Sequence, residues 1–255
     1  MIGRFVQAAA EASLETTGPS SPSPASTAPL HAARSVFVQA ILGGRRRDAL
    51  TVAREALRQV STTADLYVHI FQEALYEIGR MWEQGRITVA QEHMATATVQ
   101  YVIAQVYADL PLAAHSRGNA VVTGVAGEFH QVGANMVGDM LESDGWNVRF
   151  LGTNMPHRGI LAAINETRTD LLGISATMLF NLPRVRALVH EVRESLGARA
   201  PRIVVGGGAF RLCPAFCAEI GVANPAADVA AAVQLCAADD RSGSSSASSK
   251  DAAPV

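Results

Sequence analysis

Residues 119–133 read NAVVTGVAGEFHQVG, and the fold turns on this stretch. The run AVVTGV at 120–125 is apolar and β-favouring; it passes into a glycine-bounded polar loop, GEFHQVG at 127–133, and then into sequence of helical period. The same succession recurs downstream. NVRFLG at 147–152, DLLGIS at 170–175 and RIVVGGG at 202–208 each precede a helical stretch, and a weaker fifth strand is expected near Glu219–Val222. Strand–helix alternation at this spacing predicts a parallel sheet covered on both faces. Residues 118–238 are therefore read as a flavodoxin- or Rossmann-like α/β domain with a five-stranded parallel sheet. Ligands of such sheets sit beyond the carboxyl ends of the strands, so the loops after each strand carry the chemistry.

The preceding region, residues 31–112, has a different period. Tyr67, Ile70, Phe71, Ala74, Ile78, Met81 and Trp82 recur at helical spacing and form one apolar stripe. Gly85 is a natural stop for that helix, because glycine takes a left-handed C′ conformation without a Cβ penalty. Thr88 and Gln91 form a capping box that starts the next helix, which runs to about Leu110. Two shorter helices at about 32–43 and 46–59 complete a predicted four-helix bundle. Residues 1–30, with their Pro/Ser/Thr run at 16–28, and residues 239–255 are too poor in apolar area to order themselves and are expected to be disordered.

Composition narrows the function. Of the 255 residues 49% are hydrophobic and 17% charged, which supplies ample core. A net charge of −2 argues against a surface that binds nucleic acid by bulk electrostatics; Arg45, Arg46 and Arg47 form the only basic cluster and read as a solvated helix start. Cys213, Cys217 and Cys236 cannot form a fully paired disulfide framework and are expected to be buried thiols. No apolar stretch reaches membrane-spanning length and no signal peptide is evident, so the cytoplasm is the expected compartment.

Within the α/β region, His130 lies in the loop after the first strand and Glu128 two residues before it. A carboxylate there can accept from one ring nitrogen and leave the other for a metal, fixing the tautomer. The pair reads equally as a loop histidine with a chance acidic neighbour. Gly133 opens the next helix, Ser175 and Thr177 follow the third strand, and Gly206, Gly207 and Gly208 end the fourth.

In this order these residues resemble the cobalamin-binding family pattern Asp-x-His-x-x-Gly, then Ser-x-Leu, then Gly-Gly, with residues 134–174 and 178–205 as the intervening stretches. The resemblance implies that His130 is the lower axial cobalt ligand and Glu128 its orienting partner. It implies too that Gly133, Ser175, Thr177, Gly206 and Gly207 line the channel for the cofactor's nucleotide tail. Two positions depart from the pattern. Glu128 replaces aspartate, which is expected to lengthen or bend its hydrogen bond, and Thr177 replaces leucine, which makes the channel wall more polar. The implied cofactor is cobalamin, in adenosyl or hydroxo form, with haem as the alternative because imidazole suits iron as well.

The bundle resembles the helical cap that precedes cobalamin domains in methionine synthase and its relatives. Trp82, nine residues, then Glu92-His93 looks like the cobalamin-dependent photoreceptors of the CarH and LitR type and the purple-bacterial antirepressor AerR. This resemblance implies that Trp82, Glu92 and His93 cover the upper face of the cofactor, with His93 a candidate upper ligand; the plain reading makes Trp82 core and Glu92–His93 a surface ion pair. CarH-type proteins carry a histidine directly after the tryptophan, where this chain has Glu83. The expected function is that of a non-enzymatic transcriptional regulator or antirepressor, light- or corrinoid-responsive, that lacks a DNA-binding domain and acts on a repressor of the CrtJ/PpsR type to control photosynthesis genes. A corrinoid methyl carrier of a methyltransferase system is the alternative.

Overall fold

The computed structural model describes residues 24–60, 62–115, 117–222 and 225–237. The segments expected to be disordered at 1–23 and 239–255 lie outside these residues.

Local chemistry sets the helix boundaries of the bundle. Helix α1 spans Pro24–Leu42, α2 Arg46–Gln59 and α3 Thr63–Leu66; a π-helical stretch, Tyr67–Gln72, continues α3 into α4, Glu73–Glu83, and α5 spans Val89–Tyr107. The Thr88 hydroxyl accepts from the Gln91 amide at 3.2 Å, and the Gln91 side chain accepts from the Thr88 amide at 2.9 Å. Both orphan donors at the start of α5 are thereby satisfied. Gly85, at φ +67°, ends the preceding helix, with the Arg86 amide donating back to the Met81 carbonyl at 2.8 Å. A second capping box, Thr62 with Asp65, starts α3. Residues 24–30 are helical rather than part of a disordered leader. Pro24 stands at the first helical position, where proline costs no hydrogen bond, and the helix is anchored downstream by the buried Phe37 and Ile41.

The sheet contains β1 (Asn119–Gly124), β2 (Asn147–Phe150), β3 (Leu171–Ser175) and β4 (Arg202–Gly206), all parallel, in the order β2-β1-β3-β4. Helices α6 (Val132–Ser143), α7 (His157–Thr167), α8 (Leu182–Leu196), α9 (Gly208–Leu212), α10 (Phe216–Glu219) and α11 (Val229–Ala237) accompany it. The expected fifth strand near Glu219–Val222 is not formed. That segment is the end of α10 and a turn at Gly221, φ +62°. In its place a single parallel bridge joins Gly206 to Ala226, whose amide donates to the Val205 carbonyl at 2.9 Å. Pro225, next to Ala226, has no N–H with which to extend a ladder.

Cap and sheet share one apolar core. Phe37, Ile41, Tyr67, Ile70, Phe71, Ile78, Val99 and Ile103 cluster with Val132, Met136 and Met140 of α6 and Val229 of α11. Tyr67 ties the two parts polarly as well, donating to Asp139 on α6 at 3.1 Å. The strand order reverses between β1 and β3, and the crevice at such a switch point is where open α/β sheets bind ligands.

Candidate functional site

The loops after β1 and β3 meet at this switch point, and one carboxylate binds them together. Glu128 is fully buried. One of its oxygens accepts from Nδ1 of His130 at 2.6 Å and from the His130 amide at 3.0 Å; the other accepts from the Thr177 amide at 2.8 Å and from Nδ2 of Asn181 at 3.0 Å. Burial alone would push this carboxyl upward, but the donors from His130, Thr177 and Asn181 more than offset it and hold it at about 2. The short bond to Glu128 raises the His130 pKa, partly countered by burial, with a further contribution from the negative charge of Glu92. Nδ1 is thus committed to Glu128, while the ring, half-exposed at 56%, leaves Nε2 available to a metal. The extra methylene of glutamate does not lengthen the bond. The carboxylate bridges the loops after β1 and β3.

The carboxyl edge of the sheet is a row of small residues. Gly124, Ser175 and Gly206 are register partners across β1, β3 and β4, and Ala226 continues the row. Gly207 is required by the backbone itself: its φ is +102°, and a Cβ there would lie 2.5 Å from the Ala176 carbonyl oxygen. Gly133 is exposed in the first turn of α6, with open space where a Cβ would point. Thr177 enters the site through its amide on Glu128 rather than as a channel wall alone.

Trp82 is not core. It ends α4 and is 49% exposed, in contrast to the buried stripe that precedes it. Glu92 and His93 lie in the first turns of α5, where Glu92 Oε2 contacts His93 Nδ1 at 2.5 Å and Glu92 Oε1 accepts from Thr96 at 2.8 Å. The His93 side chain is exposed beyond that contact. Large apolar side chains are exposed on both parts: Val89 and Met94 on the cap, and Phe129, Met178, Leu179 and Phe180 on the loops after β1 and β3. An available imidazole on a loop that carries such side chains suits a large, metal-centred ring, and the row of small residues suits an appended nucleotide.

Asn181 was not singled out by the sequence pattern. It is fully buried, its amide donates to both Glu128 and the Gly127 carbonyl, and its oxygen accepts from Arg184 at 3.1 Å. No local signal identifies it, since Asn181 and Glu128 are joined only by the β1–β3 pairing.

A helical cap on a parallel sheet, with a carboxylate-fixed imidazole presented at the switch point, fits a corrinoid-binding protein. Residues 118–234 match the family model described as B12 binding domain, and residues 34–107 match a second model of the same description. Dimethylamine corrinoid protein 2 of Methanosarcina mazei is 25% identical over 164 residues, covering 64% of this chain and 77% of the relative. Dimethylamine corrinoid protein 3 of Methanosarcina acetivorans is 30% identical over 132 residues, 51% of this chain and 62% of the relative. The solved structure of Methanosarcina barkeri monomethylamine corrinoid protein shares the fold, with a TM-score of 0.69 at 20% identity over 80% of this chain and 97% of that one. The chain is a cobalamin-binding protein.

These relatives overturn the regulatory expectation. They are methylamine corrinoid proteins, so the photoreceptor and antirepressor reading and the repressor partner of CrtJ/PpsR type are withdrawn. The physical reason lies in the cap. Trp82 and Glu92-His93 are spaced by the helix–Gly85–helix junction, a feature of the cap's architecture that does not by itself distinguish a regulator from another corrinoid protein.

Proposed function

We propose that this chain is a corrinoid methyl carrier, which receives a methyl group from one methyltransferase partner and yields it to another. The carrying observation is the buried Glu128 that holds His130 with Nδ1 committed and Nε2 available, in a chain whose relatives are dimethylamine corrinoid proteins. Bound cobalamin supplies a cobalt centre able to accept and release a methyl group. His130 would supply the ligating imidazole, with Glu128 raising its basicity; Asn181 and the Thr177 amide keep Glu128 ionised and in place. Ser175, Gly206 and Gly207, with Gly133, border the nucleotide tail. Trp82, Glu92 and His93, exposed or half-exposed at the α4–α5 junction, would be the cap's contribution to holding the cofactor. The chain is not itself an enzyme in this reading, because the activating groups for methyl donor and acceptor belong to the partners. The cytoplasm is the compartment that fits: no helix among the described residues is long and apolar enough to cross a membrane, and the three cysteines are free thiols.

The test reconstitutes the full chain with hydroxocobalamin, reduces it, and supplies radiolabelled dimethylamine with a corrinoid-dependent dimethylamine methyltransferase. Label retained on the protein, and lost in His130→Ala, is the expected result. Failure of the intact, cobalamin-loaded protein to take up label under conditions where a dimethylamine corrinoid protein does so would contradict the carrier reading.

A further inference from the structure

Between α5 and α6 lies a groove of about 310 Å³, lined by Gln100, Ile103 and Ala104 of the cap and by Gln131, Val132, Asn135 and Phe150 of the sheet domain. Its chemistry is specific. No charged side chain lines it; three primary amides, Gln100, Gln131 and Asn135, rim an apolar floor of Ile103, Val132 and Phe150. Primary amides match a neutral ligand that both donates and accepts hydrogen bonds, and the floor suits a short aliphatic stem. One of its lining residues, Gln131, directly follows His130 in the chain.

We propose that this groove seats a propionamide arm of the corrin. The inference rests on the cobalamin reading and deepens it. The corrin periphery ends in amides, and its propionamide arms leave on the same face as the lower axial ligand, the face that His130 approaches. An arm seated here would dock its amide among Gln100, Gln131 and Asn135 and lay its methylenes on Ile103 and Val132. Because both α5 and α6 line the groove, the arm would also bridge cap and sheet, so bound cofactor would stiffen the seam that Tyr67 and Asp139 already join.

The test uses the full chain and titrates it, by absorption, with hydroxocobalamin and with its b-, d- and e-monocarboxylic acids, in which one propionamide at a time becomes a carboxylate. Placing a charge among neutral amides over an apolar floor is costly. One isomer is expected to bind about tenfold more weakly than hydroxocobalamin, and the others to stay within about twofold. Gln131→Lys, which sets a cation at the groove's exposed rim, should restore that isomer selectively. Equal binding of all the isomers, an equal loss in all of them, or a selective loss that Gln131→Lys does not relieve would overturn the assignment. Absence of hydroxocobalamin binding altogether would instead strike down the cobalamin reading beneath it, and the groove assignment with it.

Discussion

Replacing Glu128 by glutamine keeps the volume of the side chain, removes its charge and breaks a five-donor arrangement, the fifth and longest bond coming from the Met178 amide at 3.4 Å. One carboxylate oxygen receives the His130 amide and Nδ1, the other the Thr177 amide and Asn181 Nδ2. A glutamine has a single acceptor atom. Whichever way its amide is turned, an NH₂ group faces at least two donors, each of which loses its acceptor at a cost of about 1–3 kcal/mol. The expected destabilisation is about 2–6 kcal/mol if the NH₂ faces Thr177 and Asn181. If it faces His130 instead, the imidazole can relieve the conflict by accepting at Nδ1, which moves its proton to Nε2 and blocks metal ligation. Either arrangement lowers cobalamin affinity, by about 10- to 100-fold for loss of a partner that orients a ligand. The pH dependence carries a second signature. The Glu128 pKa is lowered from 4.5 to about 2 in the folded chain, so its contribution is present above pH 4.5 and is lost as pH falls toward 2. That amounts to about 3 kcal/mol, absent from the glutamine variant. Urea unfolding from pH 2 to 7 and cobalamin titration measure both effects. An equally stable variant with parental affinity and the parental acid limb would refute the reasoning.

Asp139 predicts the opposite slope. Burial, more than the charge of Glu142, raises its carboxyl from 3.8 to about 7 against the lowering effect of the Tyr67 hydrogen bond, so the wild type should lose about 2–4 kcal/mol as pH rises from 4 through 7. Asp139→Asn should flatten that limb in urea unfolding and be the more stable protein at pH 8. Gly207→Ala combines a left-handed φ with a Cβ placed 2.5 Å from a backbone oxygen, and should cost at least about 2 kcal/mol in the same assay.

The sequence made visible what is local. The Thr88–Gln91 box, the Gly85 stop and the four strands each rest on a few neighbouring residues, and all appear in the fold. Glu128 and His130 are two residues apart, so their bond too could be anticipated. The rest of the site depends on tertiary register. Asn181 and the Thr177 amide reach Glu128 because Gly124 lies beside Ser175, a pairing that no periodicity announces. The π-helical stretch at Tyr67–Gln72 was hidden for a related reason: its buried Tyr67, Ile70 and Phe71 satisfy an ordinary helical stripe. The fifth strand failed where Gly221 and Pro225 interrupt it, and α1 reached back to Pro24 because packing downstream outweighed a composition that argued for disorder. The regulator reading failed at a different level, since Trp82, Glu92 and His93 report the build of the cap and say little of the partner it serves.

In the carrier reading the imidazole of His130 reaches cobalt in place of the cofactor's own base. Electron paramagnetic resonance of cob(II)alamin bound to protein labelled with ¹⁵N-histidine distinguishes the two bases. Nitrogen superhyperfine lines should change from the triplets of ¹⁴N to the doublets of ¹⁵N on labelling, and this ligand signal should disappear in His130→Ala. Triplets that persist unchanged in the labelled protein would show that the cofactor's own base still holds the cobalt, and would contradict that reading.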